Sequence, residues 1–350
     1  MQKNNQHLGL VNFLKLKEKT MSNFIYVNPA LINPKTKENQ REIETQKLLK
    51  LKQEGYTLIG LEMTEPTLAS LCDINIDPQH TDQKTSQSCV KEIFQNFEEI
   101  VAPLTPLEDK KIIFLTNRVD LDSIASYVVF NKLANKKTIS TLSVKQINAH
   151  DTFKTLPWEK EKNIEEAFNP FDKTKALAST IKPFIVTESN IKNVETFLDN
   201  GSVDENIMAS YQASEQNIIN KVKSKEINVS KKGGIAFVET TLPCATDVGY
   251  CYAPIVIAIN PQMRSADGYT YRKVSICQHE EGYVDLKSLK EILQEKEQGW
   301  GGSPTFIGSP QGTSTNITKE ELQKLVYKHL TKDYKQRLAQ NQKQNTSIEL

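Results

Sequence analysis

Residues 110–130 read KKIIFLTNRVDLDSIASYVVF. KIIFLT is a short continuous apolar run, of the kind buried on both faces of a parallel sheet. From Leu121 onward, Leu121, Ile124, Ala125, Val128 and Val129 fall at i, i+3, i+4, i+7 and i+8, which is one apolar helix stripe. Strand, tight loop and helix make half a βαβ unit, so an open α/β sheet is expected. Asp120 and Asp122 then lie just past the carboxyl end of a parallel strand, where such sheets place their ligands.

The flanking sequence extends this pattern. Residues 1–55 are polar and rich in Lys, Gln and Asn; they read as an extension carrying a helix over 38–54 that stops at Gly55. YTLIGLEM at 56–63 reads as a strand, and LCDINIDPQHTDQ at 71–83 as a turn-rich loop. VKEIFQNFEEIV at 90–101 has helical spacing. TISTLSVKQINAHD at 138–151 reads as one or two further strands. Residues 160–230 are polar and mostly helical, which suits a connector. From Gly233 a second α/β domain is expected: strands in GGIAFVETT, APIVIAIN (253–260) and YRKVSICQ (271–278), a helix over 284–297, and a last helix in EELQKLVYKHL. The polar tail from Thr331 reads as mobile. The expected division is therefore an extension (1–55), a parallel-sheet domain (56–185), a helical connector (186–230), a smaller α/β domain (231–331) and a tail (332–350).

Bulk properties narrow the function. The chain has 350 residues, is 25% charged and carries a net charge of +1. That balance argues against a general nucleic-acid or membrane surface, which needs clustered positive charge. Its five cysteines show no CxxC spacing, so reduced buried thiols are expected rather than disulfides or a structural zinc. No apolar run approaches 18 residues, and Lys3, Lys15, Lys17 and Lys19 break the first twenty, unlike a signal peptide. A cytoplasmic protein is expected.

The chemistry starts at Asp120 and Asp122. In an extended segment, residues i and i+2 point the same way. Two carboxylates aimed at one point suit a hard divalent cation such as Mg²⁺ or Mn²⁺, which can activate water and clamp phosphate. The alternative is structural: Asp122 caps the helix and Asp120 is solvated. In the second half, five of 14 glycines fall within residues 299–312. Their clustering suggests a loop whose backbone approaches a phosphate, or else a set of turns. Arg272 and Lys273 on an alternating strand are candidates to pair a phosphate. Trp300 beside the glycines is a candidate to stack a base.

TNRVDLDSIAS resembles the first motif of the DHH/DHHA1 phosphoesterase superfamily, roughly H-x-x-P-D-x-D-S/A, whose aspartates bind a Mn²⁺ pair. Asp120, Asp122 and Ser123 match, while Thr116 stands at the histidine and Val119 at the proline. EQGWGGSPTFIGSPQGTST at 297–315 resembles the glycine-rich substrate loop of the DHHA1 domain, with Gly301, Gly302 and Gly308 matching and Ser303 in place of histidine. No D-H-H tripeptide is present. The resemblance implies Asp151 as a further metal ligand, with Asp77, His80 and His150 as candidates for the missing ones. It implies two α/β domains facing across a cleft, one or two Mn²⁺ or Mg²⁺ ions, and hydrolysis of a small nucleotide or short oligonucleotide. The alternative is a degenerate member that binds a nucleotide or nucleic acid without hydrolysis. Oligomeric state, a homodimer included, is left open.

Overall fold

The computed structural model describes residues 23–27, 37–78, 87–152, 164–167, 169, 171–264 and 268–346. The first part of the chain forms strand β1 (Phe24–Tyr26), helix α1 (Lys37–Gln53), β2 (Tyr56–Leu61), α2 (Pro66–Ala69), β3 (Ile74–Ile76), α3 (Cys89–Val101), β4 (Lys111–Thr116), α4 (Leu121–Ala134) and α5 (Thr141–Asp151). The four strands make a parallel sheet in the order β1-β4-β2-β3. Side chains alternate between its faces, as the pleat requires. Leu58, Ile113 and Leu115 pack with Leu48 and Leu51 of α1. Ile59, Leu61 and Phe114 pack with α3 and α4 on the other side.

A sheet covered on both faces explains the continuous apolar run in β4. It also explains why α4 is more than amphipathic: besides the expected stripe, Ser123, Ser126, Phe130 and Lys132 are buried. Lys132 is held by Asp199 at 2.7 Å and Glu195 at 3.3 Å.

Four readings change here. Of residues 138–151, Thr141–Asp151 form a helix, capped by Ser140, rather than strands; their β-branched residues are outvoted by packing against α3 and α4. The turn-rich stretch 71–83 contains β3, three residues long and too short to announce itself. Residues 1–55 are not merely an extension, because β1 pairs with β4 and α1 covers a sheet face. The tail begins with a helix, as described below.

The polar stretch 160–230 holds α6 (Ile164–Ala167), α7 (Lys173–Ser179), α8 (Glu188–Asn200) and α9 (Glu205–Lys223). Helix α8 packs on α4 and α5, and Gly201 ends it in the left-handed conformation, φ 71°, that favours glycine. Helix α9 packs on α7 and sends Ile219 into the second core.

The second part forms β5 (Asn228–Lys232), β6 (Ile235–Glu239), α10 (Ala245–Tyr250), β7 (Ile255–Arg264), β8 (Thr270–Gln278), α11 (Leu286–Lys296), β9 (Gly301–Ser303), β10 (Phe306–Gly308), α12 (Lys319–Lys328) and α13 (Lys332–Thr346). The sheet order is β5-β6-β7-β8-β10-β9. β6 and β7 are parallel across α10, and the other neighbours are antiparallel. One face packs on α11 and α12 and the other on α9 and α10. Helix α13 occupies the stretch read as a mobile tail. Tyr334 on it is buried edge-on against Tyr283, and its hydroxyl donates to Gly234 O at 3.0 Å. The chain is thus an α/β protein with one parallel and one mixed sheet. Among the described residues, no helix is long and apolar enough to cross a membrane.

Candidate functional site

Strands β3, β2 and β4 are neighbours and run the same way, so their carboxyl ends lie side by side. Each is followed within a few residues by an acid: Asp77 after β3, Glu62 directly after β2, and Asp120 and Asp122 after β4. Helix α5 ends at Asp151 on the same edge. One carboxylate oxygen each from Glu62, Asp122 and Asp151 lies within 4.8 Å of the others.

The backbone goes to some trouble to place Glu62. Its φ is 52°, in the left-handed region that costs a residue with a Cβ about 1–2 kcal/mol. Two contacts hold it there. Its N–H donates to Ile76 O at 2.9 Å. The Asn75 amide clamps the next residue, accepting from Met63 N at 3.2 Å and donating to Met63 O at 3.0 Å. Asn75 reaches Met63 by lying across Gly60, where a Cβ would collide with its Oδ1. Gly60 is therefore required by this close approach.

Asp122 is 2% exposed. Its Oδ2 accepts from Cys89 N at 2.8 Å and its Oδ1 from Val90 N at 3.0 Å. These are orphan donors of the first turn of α3, so Asp122 joins two helix starts at one point. The capping roles are the reverse of the structural alternative read from the sequence. Asp120 caps α4, accepting from Ser123 N at 2.9 Å, with Ser123 Oγ accepting in return from Asp120 N at 3.0 Å. The other oxygen of Asp120 lies 3.5 Å from Arg118 Nε. Asp120 thus borders the trio rather than joining it.

The electrostatics record the crowding. Burial first, and then the charges of Asp122, Asp151, Asp120 and Asp77, hold the Glu62 carboxyl well above the ordinary range. Burial, Asp151 and Asp120 do the same to Asp122, against the two backbone N–H bonds. Protons or a cation would relieve such a set. The donors are all carboxylate oxygens, the chemistry that suits Mg²⁺ or Mn²⁺ over softer metals, so the residues present fit a hard divalent ion.

The other candidates fall out as follows. Asp77 is buried beside the trio, close enough to act on Glu62 and Cys89. His80 lies outside the described residues. His150 is next to Asp151 in sequence, but the strongest charges on its ring are Asp247, Asp172 and Lys175. Thr116, which stands at the histidine of the motif that TNRVDLDSIAS resembles, is buried. Its hydroxyl donates to Arg118 O at 2.8 Å and accepts from Arg118 N at 3.2 Å, fastening the loop.

In the second domain the glycine stretch forms the β9–β10 hairpin at the sheet edge. Gly302 has φ 137°, and a Cβ there would strike Phe306 O, so pairing of the hairpin requires it. Gly301 is exposed with open space around it, and the Ser303 hydroxyl faces Thr305 Oγ1 at 3.4 Å. Trp300 is 1% exposed and belongs to the core. It is not a stacking platform, since the helix α11 and α12 face needs its bulk. Arg272 does not present a free fork either: its Nη1 donates to Thr315 O at 3.0 Å and Ile317 O at 2.9 Å.

Lys273 is different. Its amine donates to Ser309 O and sits over Gly308, where a Cβ would lie 3.2 Å from Nζ. Burial, and then Arg118, push it down to about 8. A cation of the second domain thus senses Arg118 beside Asp120 in the first.

Sequence reading missed Glu62 and Arg118. Glu62 carried the same signal as Asp120, a carboxylate at the end of an apolar strand. No protein-family model matches the chain, and no curated protein matches its sequence.

Proposed function

We propose that this chain is a divalent-metal-dependent phosphoesterase, similar in plan to the DHH/DHHA1 superfamily, that hydrolyses a small nucleotide or short oligonucleotide. The observation that carries the reading is the convergence of Glu62, Asp122 and Asp151 within 4.8 Å at the carboxyl edge of the parallel sheet. Asp77 and Asp120 stand around them. A Mg²⁺ or Mn²⁺ ion held there would supply Lewis acidity and an acidified water. The chain's own contribution is to fix the carboxylates on rigid strand and helix ends and to bring cations to the substrate. Arg118 and Lys273 would bind a phosphate from opposite domains, Arg118 being exposed and Lys273 fixed over Gly308. A net charge of +1 favours a small anion over a long polyanion.

A second reading, nucleotide binding without hydrolysis, is favoured by one observation. Two positions of the family motif have structural duties here: Thr116 fastens its loop and Asp120 caps α4. Mn²⁺ titration calorimetry on wild type and on Asp122→Asn/Asp151→Asn, followed by hydrolysis of a dinucleotide, separates the readings. The phosphoesterase reading expects Mn²⁺ binding and turnover, both lost in the variant. Mn²⁺ binding with dinucleotide binding but no turnover supports the second. Absence of Mn²⁺ binding in wild type overturns the first.

A further inference from the structure

A second buried group of titratable side chains, none of them a member of the carboxylate trio, lies at the junction of the two domains. Helix α7 is its hub. It packs on α5 and α9, and its Lys175 reaches Asp247 on α10 of the second domain, Nζ to Oδ2 at 2.9 Å. Asp172 caps α7, accepting from Thr174 N and Lys175 N at 3.0 Å each. From α9 come Tyr211 and Glu215, and from α5 comes His150.

Among the described residues, carboxyls outnumber ammonium groups in this cluster. Lys175, among those residues, feels the carboxyls of Asp247, Glu215 and Asp172 together. Glu215 is 7% exposed, yet among the described residues its Oε2 has no hydrogen-bond partner, and neither has Nδ1 of buried His150. A buried oxygen without a partner costs free energy as a neutral group and much more as an ion. Burial comes first and Asp247 and Asp172 add to it; against Lys175 and a hydrogen bond from the Tyr211 hydroxyl, they push the Glu215 carboxyl up to about 7.

We propose that Glu215 is a proton-operated latch between the connector and the second domain. Protonated, it lies beside the Lys175–Asp247 pair without disturbing it. Ionised, it repels Asp247 and Asp172 and competes for Lys175, and the cheapest relief is to open the junction and hydrate. The sign follows from linkage. The closed junction raises the Glu215 value above its ordinary 4.5. Its advantage is therefore full below about 4.5, is lost as pH rises through about 7, and is level above. The closed-to-open ratio should fall across that window by up to about two orders of magnitude. The proposal does not depend on the phosphoesterase reading.

The test is an inter-domain distance. Spin labels go on Lys137→Cys, in the exposed turn after α4, and Glu295→Cys, exposed on α11; Cys72, the native cysteine that is not buried, is replaced by serine. Double electron–electron resonance is recorded from about pH 5.5 to about pH 8.5. Wild type should show one short distance at low pH and a longer, broader distribution above pH ~7. Glu215→Gln should keep the low-pH distribution throughout, and Lys175→Met should show the long one at every pH. An unchanged wild-type distribution over the range, or Glu215→Gln following wild type, overturns the proposal. If Glu215→Gln does not fold, wild type and Lys175→Met decide it.

Discussion

Replacing Glu62 with Gln should have opposite effects on stability with and without a divalent cation. The trio's oxygens lie within 4.8 Å of one another. At that distance and an effective dielectric near 20, each ionised pair repels by about 3.5 kcal/mol. Glu62 takes part in two such pairs; burial first, and then this repulsion, hold the Glu62 and Asp122 carboxyls high, so a retained proton relieves part of the cost. Gln keeps the shape, the backbone angle and one acceptor oxygen while removing the charge. Without metal it should raise stability by about 1–3 kcal/mol, the part of the repulsion that proton uptake does not already remove. With Mn²⁺ at a hundredfold excess over its dissociation constant, wild type should gain about 2.7 kcal/mol. For a unit of this size that is roughly 5–10 °C in Tm. Glu62→Gln should gain far less. Differential scanning fluorimetry in EDTA and in a Mn²⁺ series reads both quantities, and the two Tm curves should cross. If Glu62→Gln lowers Tm equally in both conditions, Glu62 is a packing residue and the trio is not a cation site. If Mn²⁺ leaves wild-type Tm unmoved, the same conclusion holds.

Three further outcomes follow from the geometry. Gly60→Ala should push Asn75 off Met63 and release Glu62 from its left-handed backbone. A loss of about 2–4 kcal/mol in urea unfolding is expected, with the Mn²⁺-induced Tm gain lost alongside. Lys273 is depressed in the fold, to about 8. Its contribution to stability is present above its unfolded value of about 10.4 and lost as pH falls through about 8. Lys273→Met should therefore be more stable than wild type at pH ~7, by up to about 3 kcal/mol, with the gap closing between pH ~8 and ~10.5. Paired urea titrations across that range check it, and a gap independent of pH would contradict the assignment. Trp300→Ala should cost about 3–5 kcal/mol as a core truncation. A surface stacking residue would instead lose ligand affinity with little change in the urea midpoint.

The fold was legible where packing and local pattern agree. KIIFLT had to be a strand covered on both sides, and the stripe beginning at Leu121 had to be a helix; β4 and α4 are both (KIIFLT at Lys111–Thr116, then Leu121–Ala134). Legibility failed where an element is too short to show a period. β1 and β3 have three residues each, and they exist because a neighbouring strand offers hydrogen bonds, not because Phe24–Tyr26 or Ile74–Ile76 prefers to be extended. It failed again in α5, where TLSVKQIN has enough β-branched residues to look like strand. Its Val144 and Ile147 are three apart on one face, buried against the core. Trp300 failed for a different reason. Adjacent glycines say that the backbone turns tightly, but nothing in them says whether the neighbouring ring points in or out.

The candidate site was half legible, and the missing half has a physical cause. The DxD pattern drew attention because its two acids are only two residues apart in sequence, yet that spacing is what separates them in space. The first must be extended to cap α4, and the second then falls in the opening turn, facing the start of α3. Only Asp122 of the pair reaches the trio. Its partners come from the ends of β2 and α5, sixty residues before and twenty-nine after it, and parallel pairing of β2 with β4 is what closes the gap. In a parallel sheet all strand ends of one sense share an edge, so acids at corresponding positions of different strands accumulate there whatever their spacing in the chain. A motif search finds one acid and its sequence neighbour. The sheet selects instead for one acid per strand end, and Glu62, set in a left-handed conformation by Asn75 across Gly60, is the residue that criterion singles out.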